Sequence, residues 1–445
     1  MNEVIDFSLA RISFHLQRGD LSPVDLMRLY LTRIDCLNPS LNCYVEIFRS
    51  EALKQALLAE KDILSGRCLG PLHGIPFSFK DFFDYSGMVT GGGTRCFHEK
   101  KTITAPVIQS LKNLGMIPIG KNSAVELGMG ASGVSESGLT AVNPWLSHRH
   151  YAPGGSSSGS AVAVASTLTP LSLATDTGGS IRIPAGWCGV SGLRPSSRRL
   201  SVKGVLPLSQ TMDTVGLIGK TAADIGMVYR QLVSHACDFP ERLSFKLASL
   251  PDEDMPSIDT EYAVIFQKTL EKIKSDTLDI KTISFFTSLN ECMRVNSTIT
   301  SFEAWRNYSH LCKDGSGLGP NIIKKLSRGK NINEEEYKSA IKYCMFLRDR
   351  VFSWFSQIDA LVIPTTPSSA WLIAEDSKYS PPNDFTRFVN FLDLCAISIP
   401  MGINSNGMPL SFQIVCRHGD DLKALHIAEV IEDRIRFRMR FDPFN

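Results

Sequence analysis

The segment that most constrains this chain is a small-residue stretch at its centre. It reads Pro153-Gly154-Gly155-Ser156-Ser157-Ser158-Gly159-Ser160, then the small apolar run Ala161 to Leu168. Leu171-Ser172-Leu173-Ala174-Thr175-Asp176-Thr177-Gly178-Gly179-Ser180-Ile181-Arg182-Ile183-Pro184 follows. Glycine has no Cβ, so such a run lets the backbone turn tightly and approach a ligand. Ala161 to Leu168 suits a helix packed close against a sheet. That places the serine cluster at a helix N-terminus, where free N–H groups favour developing negative charge. Thr177-Gly178-Gly179-Ser180 is a second glycine turn after a strand-like run. Successive N–H groups in such a turn can converge as an anion nest or oxyanion hole. A Gly/Ser run is also the composition of a flexible linker. Here, however, apolar segments flank it, and Gly-Gly-Ser recurs 24 residues on.

Two short motifs fail on context. Gly155-Ser156-Ser157-Ser158-Gly159 matches G-x-S-x-G, but a nucleophile elbow needs a strand directly before it. The preceding His148-Arg149-His150-Tyr151-Ala152-Pro153 is polar and ends in proline. Gly115 to Asn122 nearly matches a phosphate-binding loop. Asn122 stands where the magnesium-holding Ser or Thr would be, and the residues between are strand-like.

Composition limits the remaining classes. At 445 residues, division by ordinary domain size suggests about three domains. With 43% hydrophobic and 21% charged residues, the chain is expected to be globular and not disordered. A net charge of +2 gives no electrostatic reason to propose nucleic acid or an anionic membrane as partner. The 11 cysteines include no CxxC pair, and no Cys/His cluster has zinc spacing, so reduced thiols and no metal are expected. The N-terminus lacks a basic n-region and an apolar h-region, and no run approaches a membrane span. The expectation is a soluble, cytoplasmic protein.

Helix and strand signals alternate early in the chain. Ser22-Pro23-Val24-Asp25 reads as a capped helix start with Leu26, Tyr30 and Ile34 on one face. Glu51 to Ser65 repeats a helical pattern through Leu53, Leu57 and Leu64 and stops at Gly66. Pro106 opens a helix ending near Gly115, and Met116 to Ile119 reads as a buried strand. Such alternation favours an α/β sheet with helices on its faces. From about Cys237 to Arg350 the chain is richer in Lys and Glu, and Asn333 caps a helix reaching about Ile358. That stretch reads as a helical elaboration or lid, or equally as more outer helices. Asp359 to Thr366, Ile397 to Pro400 and Pro409 to Val415 read as returning strands, and Asp420 to Asp433 as a final helix.

The stretch Gly154 to Ala185, continued by Cys188-Gly189 and Gly192-Leu193-Arg194-Pro195, closely resembles the diagnostic segment of the amidase signature family. Pro71-Leu72-His73-Gly74-Ile75-Pro76-Phe77-Ser78-Phe79-Lys80-Asp81 is similar to that family's upstream lysine motif. Gly120-Lys121-Asn122, Glu126, Asn143-Pro144, Pro364-Thr365-Thr366-Pro367 and Gly407 to Gln413 match further landmarks in order. The resemblance covers most of the chain and is weakest over 237–350. It implies a single amidase domain over 1–445, an α/β fold with a large mixed, twisted sheet flanked by helices on both faces. Within it, 60–236 would be the catalytic core, 237–350 a variable helical elaboration, and 351–445 a return to the core sheet.

Carried over, the family's Ser–Ser–Lys triad falls on Ser180 as nucleophile, Ser156 as bridge and Lys80 as base, with a cis peptide at Gly155–Ser156. The chemistry is coherent. An amide carbonyl is a poor electrophile, so acylation followed by deacylation divides one hard step into two. Lysine serves as a base only when neutral, and burial among Phe77, Phe79, Phe82 and Phe83 would disfavour its charge. The N–H groups of Thr177, Gly178, Gly179 and Ser180 are the candidate oxyanion hole. Asp176 and Arg182 read as a buried frame for the glycine turn. His73 reads as structural or as pocket wall, and the loop Met129 to Ser137, with Met129 and Gly130, as the border of the substrate pocket. Ser158 stands where relatives often carry Gly, and Trp187 where Phe is common.

The resemblance thus implies a cofactor-free hydrolase acting on a small-molecule amide and releasing ammonia or an amine, and it allows a homodimer. The spacing from Arg182 to Gly216 looks closest to the small arylacetamide and indoleacetamide type. Two other readings stay open: the glutaminase component of a tRNA-dependent amidotransferase, which works with partner proteins, and an inactive scaffold on the same fold.

Overall fold

A computed structural model describes residues 2–136, 138–233, 244–313 and 316–437. Ser137 and Cys237, named above as segment bounds, lie outside the described residues. Eleven strands form one mixed sheet: β1 (Tyr44–Ile47), β2 (Pro76–Lys80), β3 (Ile117–Asn122), β4 (Leu171–Asp176), β5 (Ser191–Arg194) and β6 (Thr214–Gly219), then β7 (Phe245–Ser249), β8 (Leu278–Thr282), β9 (Ala360–Pro364), β10 (Cys395–Ile403) and β11 (Pro409–Cys416). Their spatial order is β1-β3-β2-β4-β6-β5-β10-β11-β9-β7-β8. Strands β3, β2 and β4 run parallel to one another, as do β9, β7 and β8 at the other end. The pairs between these two groups are antiparallel.

Local chemistry explains most of the elements. The Ser22 hydroxyl accepts from the N–H groups of Val24 and Asp25 at 3.0 and 3.2 Å. It thereby opens the helix Pro23–Leu41, whose Leu26, Tyr30 and Ile34 are fully buried. Asn333 caps the helix Glu334–Trp354 in the same way, accepting from Glu336. Strands β2, β3, β4 and β6 are buried along their whole length because helices cover both sides.

The helix Ser158–Ala165 is buried on every side. Its small residues let it lie against the backbone of its neighbours. A Cβ on Gly159 would sit 2.6 Å from both the Cys43 carbonyl oxygen and the Ser123 nitrogen.

Two expectations need correction. The helix Arg49–Leu64 does not bury a leucine stripe: Leu57 and Leu64 are exposed. Its inner face is Ala52, Ala56, Ala59 and Ile63, which allow a closer approach than leucines would. The 237–350 stretch is not helical throughout, because β7 and β8 join the sheet edge there. Their signal was weak, since β8 (Leu-Asp-Ile-Lys-Thr) carries the charges that protect an edge strand.

The topology positions the functional residues. Parallel β2 and β4 are adjacent, with Phe79 opposite Leu173. Their C-terminal ends therefore bring Lys80 and Thr175-Asp176 to the same rim of the sheet, where α/β folds place ligands. A second apolar cluster, including Leu289, Ile299, Leu347, Val351 and Phe388, seats the helices Leu289–Tyr308 and Glu334–Trp354 over that rim.

Because neighbouring backbone crowds Gly159 so closely, Gly159→Ala should destabilise the protein by roughly 1–3 kcal/mol through overpacking. Urea denaturation should show a lower midpoint with an unchanged slope. An unshifted midpoint would show that the helix has room to spare.

Candidate active site

Lys80 ends β2 with its side chain fully buried. Its Nζ lies 2.8 Å from Ser156 Oγ, 2.8 Å from Thr175 Oγ1 and 4.1 Å from the centre of the Phe82 ring. Burial lowers its pKa to about 7, against an upward pull from the Asp213 and Asp176 carboxylates. All four phenylalanines around it in sequence are buried.

Ser156 follows a cis peptide bond from Gly155. Gly155 has no room for a side chain: a Cβ would meet the Gly130 carbonyl oxygen at 2.3 Å and the Gly133 nitrogen at 2.8 Å. The Ser156 carbonyl accepts from Val125 N–H, and the Ser180 carbonyl accepts from Ser157 N–H, at 3.1 and 3.2 Å. The two catalytic-candidate loops are thus tied together by backbone. No hydrogen bond joins the Ser156 and Ser180 hydroxyls among the described residues.

Asp176 organises the turn that carries Ser180. It is fully buried, and burial alone would raise its pKa. The Arg182 guanidinium, with further help from Arg194 and Asn390, overcomes this and holds the carboxyl well below the usual range. Arg182 Nε donates to Oδ2 at 3.0 Å and Nη2 to Oδ1 at 3.1 Å. Arg182 also donates to Gln413 Oε1 at 2.9 Å, Asn390 Oδ1 at 2.7 Å and the Thr386 carbonyl at 3.1 Å. Asn390 Nδ2 donates back to Asp176 Oδ1 at 2.9 Å. The frame read from sequence is therefore present, and its far side comes from residues more than 200 positions away.

The same carboxylate takes two backbone donors: Gly179 N–H at 2.8 Å and Ile181 N–H at 3.2 Å. Gly179, at φ +116°, could not be another residue, since a Cβ would overlap Thr386 Oγ1 at 2.2 Å. This corrects one expectation. The Gly179 N–H is committed to the turn, while those of Thr177, Gly178 and Ser180 make no hydrogen bond among the described residues. Thr177 is fixed through its hydroxyl, which donates to Asp213 Oδ1 at 2.5 Å. Leu208 and Ser209 N–H occupy Asp213 Oδ2 at 2.8 and 3.0 Å. Burial pushes the Asp213 carboxyl up to about 6 despite these donors.

Two small cavities meet here. One, of about 160 Å³, is lined by Ser180, Thr177, Gly178, Met129 and Gly130. Helix residues from the 289–328 segment and Pro381, Asn383 and Arg387 also line it. The other, of about 120 Å³, is lined by Ser156, Thr175, Phe82 and Asp213. Gly128, Thr177 and Leu208 belong to both. Met129 and Gly130 lie in the wall of the first cavity. His73 lies in neither; its Nδ1 accepts from Leu69 N–H at 3.2 Å, a structural role. A larger open groove of about 1430 Å³ has Asp213 in its wall as well. Among the described residues no group of three or more His, Cys, Asp or Glu side chains could hold a metal. No helix among them is long and apolar enough to cross a membrane.

Sequence reasoning missed Thr175, Asp213, Asn390 and Arg387. Thr175 has a usable signal, its place beside Asp176 at the end of a buried strand. Asn390 and Arg387 have none, because only the tertiary fold brings their short helix to the turn.

Solved structures share this architecture. An amidase crystal structure matches with a TM-score of 0.89 at 27% identity, covering 96% of this chain and 100% of that one. The peptide amidase of Stenotrophomonas maltophilia matches in fold, with a TM-score of 0.84 at 23% identity over 98% and 99% of the two chains. The amidase family profile fits residues 25–425. The chain belongs to the amidase family, and it is an amide-hydrolysing enzyme. Among named relatives, a glutamyl-tRNA(Gln) amidotransferase subunit from Alkalilimnicola ehrlichii is 30% identical over 94% of this chain and 95% of its own. Its counterpart from Nitrosococcus oceani is 29% identical over 95% and 96%.

Replacing Arg182 with Met leaves the buried Asp176 charge uncompensated. Breaking such a pair costs about 3–5 kcal/mol. Guanidinium denaturation of Arg182→Met should register a loss of that size, and parent-like stability would refute the framing role.

Proposed function

We propose that the protein hydrolyses a small carboxamide through an acyl-enzyme on Ser180, releasing ammonia or an amine. The observation that carries this reading is the buried Lys80, with its pKa lowered to about 7 and its Nζ 2.8 Å from Ser156 Oγ. Neutral Lys80 accepts a proton from Ser156 while Ser156 takes the proton of Ser180. The Ser180 oxygen then bonds to the amide carbon. The tetrahedral oxyanion is received by the N–H groups of Thr177, Gly178 and Ser180, with Gly179 holding the turn to Asp176. Collapse breaks the C–N bond, and the proton returns from Lys80 through Ser156 to the leaving nitrogen. Water repeats the sequence on the ester and frees the acid. Catalytic hydrogen bonds are often long before substrate binds, so the open Ser156–Ser180 link is compatible with this relay.

The relatives support a second reading, a glutaminase-type component that passes ammonia to a partner protein. Coverage of 94–96% in both directions with amidotransferase subunits is the observation behind it. Ammonia assays on the purified chain with amides and with glutamine separate the two. Turnover of glutamine only when partner proteins are added would favour the second reading over the first. The inactive-scaffold reading has against it the intact set of Lys80, Ser156 and Ser180. Failure of a fluorophosphonate to label Ser180 in folded protein would revive it.

Ser180→Ala should reduce ammonia release to background, and Ser156→Ala should cost on the order of 100- to 10,000-fold as a lost proton relay. Near-full activity in Ser180→Ala would remove it as nucleophile.

Because the base must be unprotonated, kcat/KM should rise with pH and level off above about 7, as Lys80 loses its proton. A rate that falls through that range would exclude Lys80 as the base.

A further inference from the structure

The cavity beside Ser180 carries an unusual charge. Three cations, Lys325, Arg328 and Arg387, line it, with no Asp, Glu or aromatic side chain among its walls. We propose that it is an oxyanion subsite: the substrate bears a carboxylate-type group, and no ammonium, at the end away from the scissile amide. This rests on the amidase reading and adds the substrate class to it.

The cations are held without acidic partners of their own. Arg387 is half-buried, and its contacts are neutral. Ser297 Oγ accepts from Nη1. The Asn383 side-chain oxygen, in the amide orientation that satisfies both groups, accepts from Nε and Nη2 at 2.9 and 3.1 Å. Burial depresses the Arg387 pKa, Asp384 opposes this from beyond ion-pair distance, and Arg328 adds to the depression. Lys325 Nζ donates to the Met129 carbonyl at 2.8 Å, and burial and Arg328 lower its pKa as well.

The carboxylates that act on Lys325 are occupied elsewhere. Asp376 accepts from Trp371, Glu136 from Asn321 N–H and Glu126 from Gly319 N–H, at 2.9, 2.9 and 2.8 Å. Like charges gathered around a small, half-buried space repel one another until an anion enters.

Asn296 is an independent indication. It is 1% exposed, lines the same cavity, and its Nδ2 has no hydrogen-bond partner. An orphaned buried donor is costly, and a ligand oxygen would satisfy it. An ammonium, as on glutamine, has no acceptor of opposite charge in these walls. Asp213, in the adjoining cavity, already has both oxygens occupied.

The test uses the full-length protein with succinamate, glutaramate, butyramide and L-glutamine in an ammonia assay. Hydrogen bonds to a charged group predict kcat/KM for succinamate on the order of 10- to 100-fold above butyramide. Arg387→Gln should bring that ratio toward one, and Arg387→Lys should recover part of it. Lys325→Gln serves the same purpose if the Arg387 variants fold poorly. Butyramide turned over as well as succinamate would overturn the subsite, and glutamine preferred to glutaramate would overturn the exclusion of ammonium. Calorimetric titration of succinate into the Ser180→Ala protein reads the subsite without chemistry. Binding lost in the Ser180→Ala, Arg387→Gln double variant supports the subsite even if no amide is hydrolysed, and absence of binding overturns it.

Discussion

The turn that presents Ser180 depends on one buried carboxylate. Asp176 ends β4 and accepts from Arg182, Asn390 and two N–H groups of the turn it begins. A carboxylate removed from water is tolerable only with its charge and lone pairs matched, and here they are. The same bonds set the conformation of Thr177 to Ser180 and draw the Arg387–Phe391 helix against the turn. Stability and site geometry therefore share one network, and a change that loosens it would disturb both.

Lys80 presents the opposite balance. Its ammonium is buried with hydroxyls and an aromatic face as neighbours and with no carboxylate within ion-pair distance among the described residues. Desolvation then prevails over the distant pull of Asp213 and Asp176, and the amine becomes available near neutral pH. Lys121, one strand over, shows what a partner does: it is equally buried but pairs with Asp81 at 2.8 Å. Two buried lysines on neighbouring strands thus have different surroundings, and the difference is a single carboxylate.

The frame of the glycine turn was readable in the sequence because its parts are local. Ser156, Asp176, Thr177 to Ser180 and Arg182 lie within one continuous stretch, whose glycine turns, helix start and strand end are local features, while the roles of Ser156 and Ser180 came from the family resemblance. Lys80 needed the family resemblance, since nothing in its own neighbourhood says which serine it faces. What escaped was set by tertiary contact. The alanine face of Arg49–Leu64 was hidden by louder leucines that point to solvent. Strand β8 was obscured by the charges suited to a sheet edge. Asn390 and Arg387 approach the turn from a distant part of the chain, so no local pattern marks them.

The cavity beside Ser180 shows the same split between local and distant residues. The walls of the cavity beside Ser180 combine the glycine turn and the 128–131 loop with residues from more distant places, among them the 289–328 helices and the segment 381–387. The helix Leu289–Tyr308 packs in an apolar cluster shared with the sheet residues Leu361, Ile363 and Ala396, and Leu318, Ile322 and Leu326 form a smaller cluster with Leu127. The surface side chains of these helices can be exchanged without altering the buried Asp176 network or the Lys80 environment. A shared core can therefore persist while the far wall of the cavity varies. Lys325 and Arg328 thus lie outside the Asp176 network, whereas Arg387 opens the short helix whose Asn390 joins it.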